Sequence, residues 1–297
     1  MKNIIEKILA ENKMKYKEIL KADSGFTNSV FYVDKNYVVK ICNDSKKKKK
    51  LDKEIDFYKH SKLPFIAKYL ADGQIDDYRY LIISYISGVP LYKIWHKLNF
   101  TEREEMVKQL AYILSAFHSQ SYHYLPSEII FLNWGDKWQK SFSLNVTELQ
   151  KRNFNTQKIE EFANNKLDII FREQKLGLVH NDTHFDNLLL DGKTLKLIDF
   201  DRVLYGSIDY EFLIIKSMID NPYKFANEED EKNTKQEDYK DILVLLEKYY
   251  PKMFDFEFLE DRIFIYQFIY NLGQGFEYNR NDWVEKEIKN FEKYFNL

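Results

Sequence analysis

One cysteine, five prolines and nine glycines are all that 297 residues hold of the types that staple, kink or loosen a chain. The single thiol, Cys42, excludes an intrachain disulfide and a cysteine-rich zinc cluster, and fits a reducing compartment. No low-complexity linker or internal repeat divides the sequence. No apolar run reaches membrane-spanning length, and in the opening MKNIIEKILAENK, Glu6 and Glu11 break the apolar centre a signal peptide needs. With 45 Lys and Arg against 47 Asp and Glu the net charge is −2, so no basic excess points to nucleic acid. These absences predict a soluble, cytoplasmic protein without a nucleic-acid or membrane partner. What is abundant is apolar surface: 44% hydrophobic and 16% aromatic residues suffice for a bilobal unit with a large core.

The first 87 residues read as sheet. KEILKAD, SVFYVD and YVVKIC are short β-branched and aromatic runs, and Asp34-Lys35-Asn36 between the last two predicts a tight hairpin turn. A helix is predicted over 46–61, with Leu51, Ile55 and Tyr58 on its apolar face. Strands near 67–74 and 78–86 complete a five-stranded antiparallel sheet interrupted by one helix. From Gly88 onward helices dominate. Thr101 and Glu104 are the expected capping box ahead of Met106, Leu110, Ile113, Leu114 and Phe117, and further helices are expected near 136–150, 156–173, 208–220, 236–250, 259–275 and 282–294. The fold class is α+β with two lobes, 1–87 and 88–297.

Charge divides at the same boundary. Residues 1–87 carry 18 Lys and Arg against 12 Asp and Glu, and the remainder 27 against 35. A basic first lobe facing an acidic second one suits a cleft that takes an anionic cosubstrate and a cationic acceptor, although the run Lys46 to Lys50 supplies much of the first excess as an ordinary solvated helix start.

The segment LVHNDTHFDNLLL (178–190), followed by LKLIDF (195–200), carries the chemistry. It holds H-x-D-x-x-x-x-N and, twelve residues past Asn187, an Asp between apolar neighbours. Phosphoryl transfer needs a carboxylate near the attacking hydroxyl and oxygen ligands for magnesium. Asp182 is the candidate base, Asn187 and Asp199 the candidate magnesium ligands, and His180 a brace for the loop. Upstream, Lys40 in an apolar strand needs an anionic partner, and Glu54 in the next helix is placed to serve; together they would set an ammonium on the α- and β-phosphates. The turn Ser24–Ser29, with Gly25 and Asn28, would cover the phosphates with backbone N–H groups.

Taken in order, these elements resemble the aminoglycoside phosphotransferase and choline kinase superfamily, the small-molecule branch of the protein-kinase-like enzymes. The resemblance runs over nearly the whole chain: the phosphate turn, Lys40, Glu54, a hinge at Ser84-Tyr85-Ile86, the HNDTHFDN loop and IDFD. It implies a bilobal kinase-like fold, ATP or GTP held by the hinge backbone at Ser84 and Ile86, a base resting on apolar residues such as Ile41, Ile83 and Ile198, and Mg2+. Asp201 stands where protein kinases have glycine, and the short path from Asp199 to the next helix leaves no room for a peptide-binding activation segment. Where the family often has Asp to brace the catalytic loop, this chain has Glu211. His118 reads as a core or interlobe histidine. The aromatic series Phe264, Tyr266, Phe268, Tyr270 reads as core packing.

For the acceptor, the resemblance offers two classes. An aminoglycoside, a polycation, requires carboxylates, and residues 255–283 supply Asp255, Glu257, Glu260, Asp261, Glu277 and Asp282; Asp201, Glu277 and Asp282 are the expected substrate contacts. Choline requires an aromatic cage, for which Trp283, Tyr266 and Tyr270 are available. The first is the leading expectation and choline the second, with a catalytically silent kinase-like binding module as the competing class and a monomer or weak dimer as the assembly.

Overall fold

A computed structural model of the chain describes residues 1–22, 29–227 and 229–297. Strands β1 (Ile19–Lys21), β2 (Ser29–Val33), β3 (Tyr37–Cys42), β4 (Tyr69–Ile75) and β5 (Tyr78–Ser84) form one antiparallel sheet in the order β1-β2-β3-β5-β4. The β2–β3 turn forms as its sequence predicts. Asp34 and Lys35 both take left-handed backbone, φ 53° and 54°, the conformation that matches strand twist in a two-residue hairpin. The Asp34 carboxylate also accepts from the N–H groups of Lys17 and Glu18.

Two helices sandwich this sheet. Helix α2 (Ser45–His60) covers one face with Leu51, Ile55, Phe57 and Tyr58, all buried. The other face is covered by a helix not foreseen from the sequence, α1 (Lys2–Glu11), whose Ile5, Ile8 and Leu9 pack with Phe31, Val33, Val39, Ile41, Tyr80 and Ile82. Strand alternation therefore corrects one expectation: Ile41 faces α1, whereas Lys40, one residue earlier, faces α2 and the cleft. Val38, paired with Ile83, shares Lys40's side.

The rest of the chain is mainly helical: α3 (Leu91–Trp95), α4 (Phe100–His118), α5 (Trp134–Lys151), α6 (Gln157–Ile170), α7 (Phe212–Asp220), α8 (Ile242–Tyr249), α9 (Leu259–Glu277) and α10 (Asn281–Tyr294). The five expected apolar positions of α4 are all buried. Each such side chain contributes about 1.5–3 kcal/mol relative to exposure. Its cap differs from expectation: Asn99, two residues before Thr101, accepts from the Glu102 N–H while the Glu102 carboxylate accepts from the Asn99 N–H. The helix thus starts half a turn early, and Phe100, 57% exposed, enters it. Among the described residues no helix is long and apolar enough to cross a membrane.

Short strands inside the helical part frame the site. Strand β6 (Val89–Pro90) pairs with β8 (Leu188–Asp191), which pairs with β9 (Thr194–Leu197); β7 (Leu176–Val179) pairs with β10 (Leu204–Ser207). In the β7–β10 ribbon Gly177 lies opposite Gly206. A Cβ at Gly177 would come within 2.4 Å of the His118 carbonyl oxygen, and one at Gly206 within 2.3 Å of the Trp134 ring. An aromatic column ties the layers together: Phe57 stacks on Phe200 at 4.2 Å, Phe117 packs on both, and His180 meets Phe200 edge-on at 5.0 Å. Helix α2 and the catalytic loop thereby share one piece of core.

Candidate active site

The loop from His180 to Asn187 leaves β7 and returns in β8, and Glu211 is its buried anchor. The Glu211 carboxylate accepts from the His180 N–H at 2.5 Å, the Asn181 N–H at 3.3 Å and the Thr183 hydroxyl at 3.0 Å, with His118 Nε2 3.6 Å away. Burial opposes its charge, but His118 and His180 hold the Glu211 carboxyl below its ordinary range. The longer side chain reaches the loop. His180 donates from Nε2 to the Ile198 carbonyl at 3.1 Å, and burial lowers its proton affinity, so it joins the two halves of the site as a neutral strut. Ile198 in turn donates its N–H to the Asn187 carbonyl. His118 is a core histidine, hydrogen-bonded to the Tyr250 hydroxyl.

Asp182 lies in this loop with both oxygens engaged. Oδ1 accepts from Arg202 Nη1 at 3.1 Å; Oδ2 accepts from Asn187 Nδ2 at 3.2 Å and faces His184 Nε2 at 3.7 Å. Against the effect of burial, His184 and Arg202 bring the carboxyl down to about 2. Asn187 also donates to the Asp182 carbonyl and contacts His184 Nε2. With its amide nitrogen spent on neighbours, its carbonyl oxygen is the atom left for a ligand.

Lys40 reaches across from β3. Its ammonium donates to Glu54 at 2.6 Å and to Asp199 at 2.9 Å. Burial works against that charge, yet Asp199 and Glu54 hold Lys40 well above its ordinary range. Lys40 in turn keeps Asp199 below its own ordinary range despite burial. Asp199 sits in left-handed backbone at φ 67°, as does Asn181 at φ 59°. Such strain in non-glycine residues concentrates at functional sites. Asp199 and Asn187 offer hard oxygen ligands, and the Asp199 side chain is 41% exposed towards the cleft. That donor set fits magnesium, which takes one or two protein oxygens and completes its shell with phosphate and water.

At the hinge, Ser84 donates its N–H to the Lys68 carbonyl and its hydroxyl accepts from the Lys68 N–H, while Tyr85 donates to the Asn36 carbonyl. The Ser84 N–H is thus spent inside the sheet, and a base edge here would meet carbonyl oxygens and Ile86. Gly25 and Asn28 lie outside the described residues.

The expected acceptor carboxylates stand in different surroundings. Asp201 is buried beside Asp199, on the side of Lys40 and Lys50. Glu277 is exposed in the last turn of α9. Asp282 is exposed and gripped by Arg280 at 2.6 and 2.8 Å. Asp255 pairs with Lys175, and Asp261 accepts from the Tyr294 hydroxyl. Asp255 and Asp261 sit at the start of α9 and Glu277 and Asp282 at its end, and the 19 residues of the helix span roughly 28 Å at the helical rise. No single small molecule meets both ends. The aromatic trio does not form a cage either: Tyr266 is fully buried, donating to Asp209 and accepting from Trp134 Nε1, while Trp283 lies under Arg280. Phe264, Tyr266 and Phe268 are packing residues, as expected.

Other residues take these places. Tyr92 is pushed up to about 12 by burial and by the carboxylates of Asp186, Asp230 and Glu229, which therefore lie within electrostatic reach of it. Asp186 was within the motif, but the approach of 229–230 depends on the fold. An aromatic box surrounds the protein's own Lys137: its ammonium lies 3.4 Å from the Trp138 centroid and 4.7 Å from those of Trp134 and Tyr210. Burial brings Lys137 down to about 7.

A family model described as the phosphotransferase enzyme family matches residues 18–232. The chain belongs to that family. Its fold is that of solved phosphotransferases. The aminoglycoside phosphotransferase APH(2'')-Ib with ADP bound is 22% identical, with a TM-score of 0.70 over 97% of this chain and 95% of that one. The gentamicin complex of APH(2")-IIa is 22% identical, with a TM-score of 0.66 over 97% and 94%. A macrolide 2'-phosphotransferase from Brachybacterium faecium is 9% identical, with a TM-score of 0.63 over 96% of each. No curated protein sequence matches. Family membership makes the chain a phosphotransferase, and the solved structures share its kinase-like fold.

Proposed function

We propose that this phosphotransferase moves the γ-phosphoryl group of ATP or GTP to a hydroxyl of a small cationic molecule of the aminoglycoside class. The observation that carries the reading is the convergence of Lys40, Asp182, Asn187 and Asp199, drawn from β3, the β7–β8 loop and the segment after β9, on one cleft. A silent binding module has no need of the complete set. Lys40, oriented by Glu54, sets an ammonium against the α- and β-phosphates. Asp182 orients the acceptor hydroxyl and takes its proton. Asn187 and Asp199 would hold Mg2+, which supplies charge neutralisation on the phosphates when bound.

Two observations support a cationic acceptor. Asp186, Glu229 and Asp230 place negative charge beside Tyr92, and full-length neighbours in fold include complexes with gentamicin, streptomycin and kanamycin. The choline reading loses its cage, because Tyr266 is inside the core. The residues before and after 87 would act as nucleotide-binding and acceptor-binding lobes.

The decisive experiment measures magnesium-dependent nucleoside diphosphate release with ATP and GTP across aminoglycosides, choline and hydroxylated metabolites, with mass spectrometry of the acceptor. A product heavier by one phosphoryl group from an aminoglycoside is the expected result; stimulation by choline alone overturns the acceptor class. Asp182→Asn should lower kcat about 10²- to 10⁴-fold while leaving nucleotide affinity near wild type. Unchanged turnover would remove Asp182 as the base.

A further inference from the structure

Both oxygens of Asp182 already accept a hydrogen bond, so an acceptor hydroxyl must share a carboxylate oxygen with a group of the protein. Oδ2 is occupied from within its own loop, which any positioned carboxylate requires. Oδ1 is different: its partner, Arg202, comes from outside the loop, in the turn directly after Asp199-Phe200-Asp201. The Arg202 side chain is 32% exposed, so its head has a path into solvent. It comes from a turn outside any helix or strand, free to rotate without disturbing the loop that Glu211 anchors. Tyr210 and Tyr270 lie close enough to feel its charge, and Lys137 stands on Tyr210 from another side. Arg202 thus occupies the approach to Asp182 between the catalytic loop and α9.

We propose that Arg202 is a specificity-determining plug: its guanidinium holds the place beside Asp182 Oδ1 that an acceptor's ammonium takes, so acceptors with an amino group next to the reacting hydroxyl displace it. A gauche vicinal amino alcohol carries its nitrogen and oxygen at about hydrogen-bonding separation, so its ammonium can replace the guanidinium on Oδ1 while its hydroxyl uses the second lone pair of Oδ2. A neutral polyol has no charge with which to compete. This deepens the phosphotransferase reading and rests on it.

The plug also has a reaction to suppress. Without an acceptor, a water oxygen can attack the γ-phosphorus: the new O–P bond forms, the bond to the bridging oxygen breaks, the diphosphate leaves with that electron pair, and the water's proton passes to Asp182. With Arg202 on Oδ1 that proton has a poorer destination, and nucleotide is spared.

The test compares wild type with Arg202→Ala, Arg202→Gln and Arg202→Lys, each checked for folding by thermal melting and for Mg-ATP and Mg-GTP binding by calorimetry. Acceptor-free hydrolysis should rise about tenfold in the Ala and Gln variants, the scale of one charged hydrogen bond. It should stay near wild type in the Lys variant and fall again in Arg202→Ala when millimolar methylguanidinium is added. In wild type, trans-2-aminocyclohexanol should stimulate diphosphate release and trans-1,2-cyclohexanediol should not. Unchanged or lower hydrolysis in folded, nucleotide-binding Ala and Gln variants overturns the plug, leaving the phosphotransferase reading intact. Equal effects of the two cyclohexane probes, or none, overturn the vicinal-amine assignment. Failure of wild type to bind either nucleotide sinks both the reading and the inference.

Discussion

Glu211 shows how much one side chain does for the catalytic loop. Replacing it with glutamine keeps the shape but turns an acceptor-only group into one with its own donors, facing two backbone N–H groups and a hydroxyl. Glu211→Gln should cost about 2–4 kcal/mol of unfolding free energy at pH 7 and lower kcat with it. Because its folded-state proton affinity is depressed, the wild-type advantage is present above the ordinary carboxylate value of 4.5 and is lost as pH falls through the folded value. Denaturant titrations of both proteins at pH 7 and near pH 4 should show the gap closing at acid pH. Lys137 works in the opposite sense. The unfolded chain keeps a proton there up to an ordinary value of 10.5, the folded chain only below about 7, so stability gains as pH rises between the two. Lys137→Met, which keeps the packing on Trp138 and discards the charge, should raise stability at pH 7 by about 1–2 kcal/mol, with the gain vanishing near pH 11. Equal melts of variant and wild type at pH 7 would show that the rings repay the desolvation in full. The sequence exposed the first of these residues and hid the second. Glu211 stands at a fixed distance from a recognisable motif, whereas the box around Lys137 draws on Trp134, Trp138 and Tyr210, of which only the first two are near it in the chain.

At the level of elements, periodicity located most of the helices and strands, and local chemistry misplaced one of their ends. Thr101 and Glu104 carry the right spacing for a capping box, but so do Asn99 and Glu102, and the chain uses the earlier pair because it also lets Arg103 reach the Trp95 carbonyl and the Asp238 carboxylate. Asn99→Ala should destabilise the protein by about 1 kcal/mol, and Thr101→Ala by much less, in parallel thermal melts. The reverse ranking would restore the later cap. Helix α1 was missed because ten residues with three buried side chains look marginal until a sheet face is present to receive them. The acceptor side is less legible for a related reason. A carboxylate count over 255–283 has no length in it, whereas α9 separates Asp255 from Asp282, and each meets its own cation, Lys175 and Arg280.

For the molecule as a whole, the sequence showed a basic and an acidic part, and the structure adds that the ion pair of Lys40 with Asp199 bridges them. That bridge shares a carboxylate with the proposed magnesium site, so metal-bound nucleotide must reorganise it while adding contacts to both parts. Net stabilisation should follow: Mg-ATP or Mg-GTP at 100 times its Kd should raise the unfolding free energy by about 2.7 kcal/mol. Asp199→Asn should lose most of the magnesium-dependent share, as read from melting temperature with and without the metal. An equal shift in both proteins would place the ion elsewhere.

The facing pair Gly177 and Gly206 has a consequence for how the gene can drift. Each forbids a side chain for its own reason, one against the backbone of α4 and the other against an indole of α5, yet both belong to the same rung of a two-stranded ribbon. In a saturation library scored only for the amount of folded protein, with no nucleotide and no acceptor, these two codons should tolerate almost nothing, marking a spot where inheritance is constrained by room rather than by chemistry.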